Sequence, residues 1–84
     1  MKTIGISFDE WNALSTGHTV TIDRVVGDRK DEFKAGGKLT VHQLYQAKTA
    51  EVTVDRVVSC NAANIFVLEV SGFRILPARA YRIR

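Results

Sequence analysis

The sequence predicts a small, mostly β domain (α+β in the broad sense): an antiparallel barrel or rolled sheet with one short N-terminal helix. Three observations carry this expectation. Runs of β-branched and aromatic residues alternate with polar ones along most of the chain. Turn residues return roughly every eight to twelve positions, the spacing of an all-β sandwich or barrel. Helical spacing with a start signal occurs once, directly after the first apolar pair. The chain has 84 residues, so residues 1–84 are read as a single domain; at this size about 60–65% of the unfolded surface can be buried, enough for one modest core.

The elements follow in order. Lys2-Thr-Ile-Gly-Ile-Ser7 alternates, with Ile4 and Ile6 on one face, and reads as a short strand. Ser7 followed three residues later by Glu10 is a capping box, in which hydroxyl and carboxylate each take a free backbone N–H. Asp9 and Glu10 also suit the positive end of a helix. Phe8, Trp11 and Leu14 fall on one helical face, which predicts a helix over about residues 8–16 with Phe8 and Trp11 in the core. Gly17 suits the position just past its end.

His18 to Val26 alternates and is β-branched, hence a strand. A charged loop, Gly27 to Glu32, leads to Phe33-Lys-Ala-Gly-Gly37, where paired glycines suggest positive φ or close backbone approach. Lys38 to Gln46 alternates, with Leu39, Val41 and Tyr45 on one side. Thr49 to Ser59 reads as a long strand, Asn61 to Asn64 as a loop, and Ile65 to Val70 as a strand. Phe73 to Leu76 and Ala80 to Ile83 read as two short terminal strands divided at Pro77, which cannot donate to a central ladder.

One octapeptide recurs. TVTIDRVV at residues 19–26 returns as EVTVDRVV at residues 51–58, with six of eight letters identical. A repeat architecture needs whole units and at least three copies. Here the similarity stops at eight residues and has no third copy, so it marks two strands with one packing solution. In strict alternation Val20, Ile22, Arg24 and Val26 share a face, as do Val52, Val54, Arg56 and Val58. Each row would bury an arginine, which is too costly for an unpaired guanidinium. Each must be paired, turned outward by a bulge at Asp-Arg, or open to a cleft at the mouth of a barrel.

Charge is placed unevenly. Met1 to Glu69 holds eight Lys or Arg against nine Asp or Glu, whereas Val70 to Arg84 holds four arginines and no acid. Arg74, Arg79, Arg82 and Arg84 could contact phosphate, and Tyr81 could stack on a base. The plainer role for the same residues is protection of a terminal sheet edge. His18, His42 and Cys60 lack paired metal-ligand spacing, so neither metal nor cofactor is expected. Gly36-Gly37-Lys38-Leu39-Thr40 lacks the upstream glycine and the following helix of a phosphate loop. The single cysteine forms no internal disulfide and fits a reducing, cytoplasmic setting. No apolar run long enough to span a membrane and no signal peptide is evident.

The stretch Gly17-His-Thr-Val-Thr-Ile-Asp-Arg24, the helix before it, and Phe33-Lys-Ala-Gly-Gly-Lys-Leu-Thr-Val41 after it together resemble the ASCH domains of the PUA-like superfamily. That family shows a helix, a G-x-K-x-x-E-x-R strand, a polar loop and F-x-x-G-D-x-L-x-V, and the order and spacing match over roughly residues 7–59. The resemblance implies a small β-barrel with a cleft and an association with RNA or modified nucleobases. In some small members it implies amidohydrolase activity on an acylated cytidine through the motif lysine.

Gly17 and Arg24 match the motif glycine and arginine, and Gly36 keeps the later glycine. Thr19 stands in place of the lysine, Ile22 in place of the acidic residue, and Gly37 in place of the aspartate. Sliding the alignment by one residue brings Asp23 near the acidic position but restores no lysine. The departures fall on the chemistry. The resulting expectation is a non-catalytic binding module for nucleic acid, RNA favoured, or a modified nucleobase. Its cleft would be lined by Gly17, Thr19, Arg24, Gly36 and Gly37. The alternatives are a protein-interaction accessory module of phage or mobile-element type, and a variant amidohydrolase.

Overall fold

The computed structural model describes residues 3–44 and 48–76. Five strands and one helix follow in the order β1 (Thr3–Ile6), α1 (Phe8–Ser15), β2 (Val20–Val26), β3 (Lys38–Gln43), β4 (Thr49–Cys60) and β5 (Ile65–Ile75). The strands form one sheet in the order β1-β3-β4-β5-β2, rolled into a small, nearly closed barrel. The mostly β expectation with one short helix therefore holds. It needs one correction: the sheet is mixed, because β1 pairs parallel with β3. The chain crosses from β1 to β3 through α1 and β2, and that long connection brings β3 alongside β1 in the same direction.

The helix is built as its sequence indicates. Ser7 is the N-cap, its Oγ accepting from Glu10 N at 3.1 Å while Ser7 N donates to Glu10 Oε1 at 2.9 Å. At the other end Gly17 N donates to Leu14 O and His18 N to Ala13 O, both at 3.0 Å. This double bond pattern is a Schellman motif, and it requires the left-handed backbone that Gly17 adopts at φ 91°. Trp11 and Leu14 are buried, and α1 packs on β5 and β2. Phe8, expected in the core, is 62% exposed. It lies on the same face as Trp11, one turn earlier, where the helix has only begun and the sheet beneath it is ending.

The two octapeptides flank one strand. β2 and β4 both pair antiparallel with β5, on opposite sides of it. Val70 is the partner of Val20 on one side and Val54 on the other; Leu68 is the partner of Ile22 and Val57. The repeat is thus two copies of one solution for covering β5. Both copies bulge at Asp-Arg. In β2, Ile22 pairs with Leu68 and Val25 with Phe66, so Asp23 and Arg24 together face one residue. In β4, Val54 pairs with Val70 and Arg56 with Glu69, leaving Asp55 as the extra residue. The bulge moves Val25 into the buried row in place of Val26, which is 59% exposed. In β4 it likewise turns Val57 toward the core and leaves Val58 41% exposed.

A further correction concerns β5. The stretch after Val70 is not a separate strand: β5 runs unbroken to Ile75. Gly72, at φ 71°, and Phe73 together oppose Val52, giving a bulge that bends the strand without ending it. Several bulges on adjacent strands increase twist and coil, which lets five strands roll up on themselves. The expected strand at Ala80–Ile83 and the core position of Tyr45 lie outside the described residues.

The interior is aliphatic, with two aromatic pairs at its margins. Ile6, Ile22, Val25, Leu39, Val41, Val52, Val54, Phe66, Leu68 and Val70 are buried, each contributing roughly 1–3 kcal/mol. Trp11 meets Phe73 edge-on at 4.9 Å, and Phe33, from the loop before β3, meets Phe66 edge-on at 4.9 Å. Gln43 is the buried polar residue of the described core, and no buried side-chain nitrogen or oxygen there lacks a hydrogen-bond partner.

Candidate binding site on the sheet

Arg24 is the residue that sequence and structure single out together. The β2 bulge carries it out of the barrel into solvent, at φ 61°. A left-handed backbone costs an L-residue roughly 1–2 kcal/mol. A non-glycine residue held there is a place to look for function. Its guanidinium makes no hydrogen bond or ion pair among the described residues, and neither does the carboxylate of Asp23 beside it. Arg56, its counterpart in the second octapeptide, has a different fate. Its Nε donates to Glu69 Oε1 at 3.1 Å and its Nη2 to Glu69 Oε2 at 3.5 Å. Of the three postulated ways to accommodate these arginines, the bulge serves both, and pairing serves Arg56 in addition.

The other predicted cleft residues are dispersed along one row of the sheet. Gly36 N donates to Val54 O at 2.7 Å, and Val54 N donates to Gly37 O at 2.8 Å. Val54 pairs with Val70, and Val70 with Val20, next to Thr19. Thr19 and the Gly36-Gly37 pair therefore stand three strand steps apart along the rolled sheet, roughly 14 Å measured over its surface. Gly36 adopts φ 89° with open space around it, as does Gly17 at the helix end. Gly37 is held close: a side chain there would meet Lys34 O at 3.2 Å. Positive φ at Gly36 and close approach at Gly37 are both expectations that the glycine pair raised.

A cluster of polar side chains was not anticipated. On the outer face of β3, β4 and β5, Lys38 Nζ donates to Thr53 Oγ1 at 2.9 Å, and Ser71 Oγ donates to Asp55 Oδ1 at 3.0 Å. Thr53 and Ser71 are cross-strand partners, so the two bonds form one cluster next to Gly36-Gly37. The alternation of Glu51, Thr53 and Asp55 signalled an outward polar row, but the partner of each depended on bulges that the sequence leaves open. Arg74, proposed as a phosphate contact, extends this face; its Nη2 lies 3.1 Å from Glu51 Oε1. That pair is two-thirds exposed on the arginine side, and such pairs contribute about 1 kcal/mol or less, so a phosphate could compete for it.

The described residues carry eight Lys or Arg and nine Asp or Glu. The chain's net charge of +3 therefore derives from Lys2, Arg79, Arg82 and Arg84. Arg79, Tyr81, Arg82 and Arg84 lie outside the described residues. Among the described residues no group of three or more His, Cys, Asp or Glu converges, and no helix is long and apolar enough to cross a membrane. Comparison with protein-family profiles, with characterised proteins and with solved structures gives no match. The description of this protein thus rests on its own fold: a small, mostly β, barrel-like domain.

Proposed function

We propose that this domain is a non-catalytic binding module of ASCH or PUA-like type that holds nucleic acid, RNA in preference to DNA. One observation carries the reading. Arg24 is exposed, left-handed and without a partner among the described residues, while the arginine of the same motif in β4 is paired. An exposed guanidinium on a bulge, unpaired among the described residues, is ready for a bidentate phosphate or base-edge contact. In this reading Arg24 selects the base or ligand, with Gly17, Thr19 and Gly36-Gly37 along the binding path. Arg74, Arg79, Arg82 and Arg84 supply phosphate attraction, and Tyr81 a stacking face. Thr19 in the place of the motif lysine is the reason for a binding module over a hydrolase.

The test is fluorescence anisotropy with labelled single-stranded RNA, hairpin RNA and duplex DNA at two salt concentrations. Micromolar or tighter binding to RNA, weakening steeply with salt, is expected. No binding at the lower salt would overturn the reading.

A further inference from the structure

We infer that the bulge of β2, where Asp23 and Arg24 stand opposite Val67, is a subsite for an unpaired guanine base of RNA. The inference rests on the RNA-binding reading above and names the base that Arg24 would select.

The two octapeptides supply the contrast. In β4 both polar residues of the Asp-Arg pair are engaged: Asp55 Oδ1 accepts from Ser71 Oγ at 3.0 Å, and Arg56 Nε donates to Glu69 Oε1 at 3.1 Å. In β2 neither the Asp23 nor the Arg24 side chain has a hydrogen bond or ion pair among the described residues, including with each other. Ile22 and Val25 on either side are buried while Asp23 and Arg24 are exposed, so the bulge keeps both polar side chains on the outer face. A carboxylate and a guanidinium thus stand at adjacent positions with their bonding capacity unspent.

The sheet supplies a floor beside them. Val67 lies opposite the bulge on one side and pairs with Ser59 on the other. Phe66 and Leu68 are fully buried, so alternation turns Ile65 and Val67 outward. Val26 is the cross-strand partner of Ile65 and is 59% exposed. Val58, next to Ser59, is 41% exposed, because Val57 has taken the inward position. Neighbouring strands lie about 5 Å apart and same-face residues of one strand about 7 Å apart. Ile65, Val67, Val26 and Val58 therefore form one aliphatic surface bordering Asp23 and Arg24, suited to the face of a flat, partly apolar ring.

Hydrogen-bond complementarity selects the ring. A carboxylate offers two acceptor oxygens, and a guanidinium offers paired donors in a fixed fork. Guanine presents two acceptors side by side, N7 and O6, and two donors side by side, N1–H and the N2 amino group. Arginine on O6 and N7 is the commonest specific contact to this base, and Asp23 would take the neighbouring donor edge. Cytosine has two adjacent acceptors but one donor group; adenine and uracil alternate donor and acceptor, so neither satisfies both side chains in pairs. The donor edge of guanine is occupied in a duplex, so the match requires an unpaired base, the form in which proteins read RNA sequence.

Fluorescence anisotropy of the full chain tests this with labelled oligouridylates that carry one central guanine, adenine, cytosine, hypoxanthine or 7-deazaguanine. Guanine should bind about tenfold or more tighter than adenine. Hypoxanthine lacks the N2 amino group and 7-deazaguanine lacks the N7 acceptor, so each should lose part of that gain. Arg24→Ala should abolish the 7-deazaguanine difference and keep the hypoxanthine difference; Asp23→Ala should do the reverse. Circular dichroism verifies that both variants are folded, and the base analogues test the wild-type chain without any substitution. Equal affinity for all the oligomers overturns the inference, leaves the RNA reading standing and would assign the aliphatic surface to a protein partner. A guanine preference that survives both substitutions, or that persists when the guanine is paired in a hairpin stem, also overturns it. No binding of any oligomer overturns the RNA reading and the inference with it.

Discussion

Arg24 and Arg56 occupy the same position in two nearly identical octapeptides and reach opposite states. Arg56 Nε sits 3.1 Å from Glu69 Oε1 on an ordinary backbone, while Arg24 has φ 61° and no partner among the described residues. The difference comes from the neighbours. Glu69 is the cross-strand partner of Arg56 on β4 and of Thr21 on β2, so its carboxylate is directed to one arginine only.

The first prediction concerns that strain. Arg24→Gly should stabilise the fold by about 0.5–1 kcal/mol, because the left-handed penalty exceeds the extra entropy of glycine in the unfolded chain. Arg56→Gly should destabilise it, since glycine there gains nothing and loses strand packing. Urea unfolding midpoints check both; a destabilised Arg24→Gly would show that the bulge is held by the side chain.

The second prediction separates two glycines. Gly17→Ala meets nothing within 4 Å, so its cost is backbone alone, about 1–2 kcal/mol from φ 91°. Gly27→Ala places a methyl group 2.5 Å from Phe66 Cε1, at the ring that Phe33 stacks on. It should cost about 1–3 kcal/mol by overpacking. Near-ultraviolet circular dichroism tells them apart, since only Gly27→Ala should disturb the aromatic signal.

The third prediction tests the helix start. Ser7→Ala removes one half of a reciprocal cap and should cost about 1 kcal/mol. Ser7→Asp should retain most of the stability. Thermal denaturation of both variants checks the order.

These features differ in how far the sequence reveals them. Ser7, Glu10 and Gly17 act through neighbours within four residues, so the helix ends were legible. The long strand at Thr49–Cys60 was legible from alternation. The bulges were partly so: an arginine inside an apolar row demanded an exit, but identical Asp-Arg-Val-Val letters could not show which arginine would find Glu69. The sequence suggests a strand end at Val70, but β5 runs on, because Gly72 and Phe73 bulge together opposite Val52. Phe8 followed the right face, yet helical periodicity carries no information about where the underlying sheet stops. The Lys38–Thr53 and Ser71–Asp55 bonds needed the register of three strands and so were out of reach.

A fourth prediction concerns the surface ion pairs. Glu69→Gln should lower stability by less than about 1 kcal/mol, because Arg56 stays largely in solvent. It should also free the Arg56 guanidinium. If free guanidinium on this face is what attracts nucleic acid, Glu69→Gln should bind labelled RNA more tightly than wild type at low salt, with a steeper salt dependence.

In the proposed function Arg24 is the contact that reads the ligand. The most direct measurement is fluorescence anisotropy of wild type, Arg24→Ala and Arg56→Ala, against a panel of labelled RNAs differing at one base. Arg24→Ala is expected to change the order of preference among the RNAs, while Arg56→Ala leaves that order unchanged. Arg82→Ala, at a proposed phosphate contact, should weaken all of them alike. The same order of preference in wild type and Arg24→Ala, with equal affinities, would contradict it.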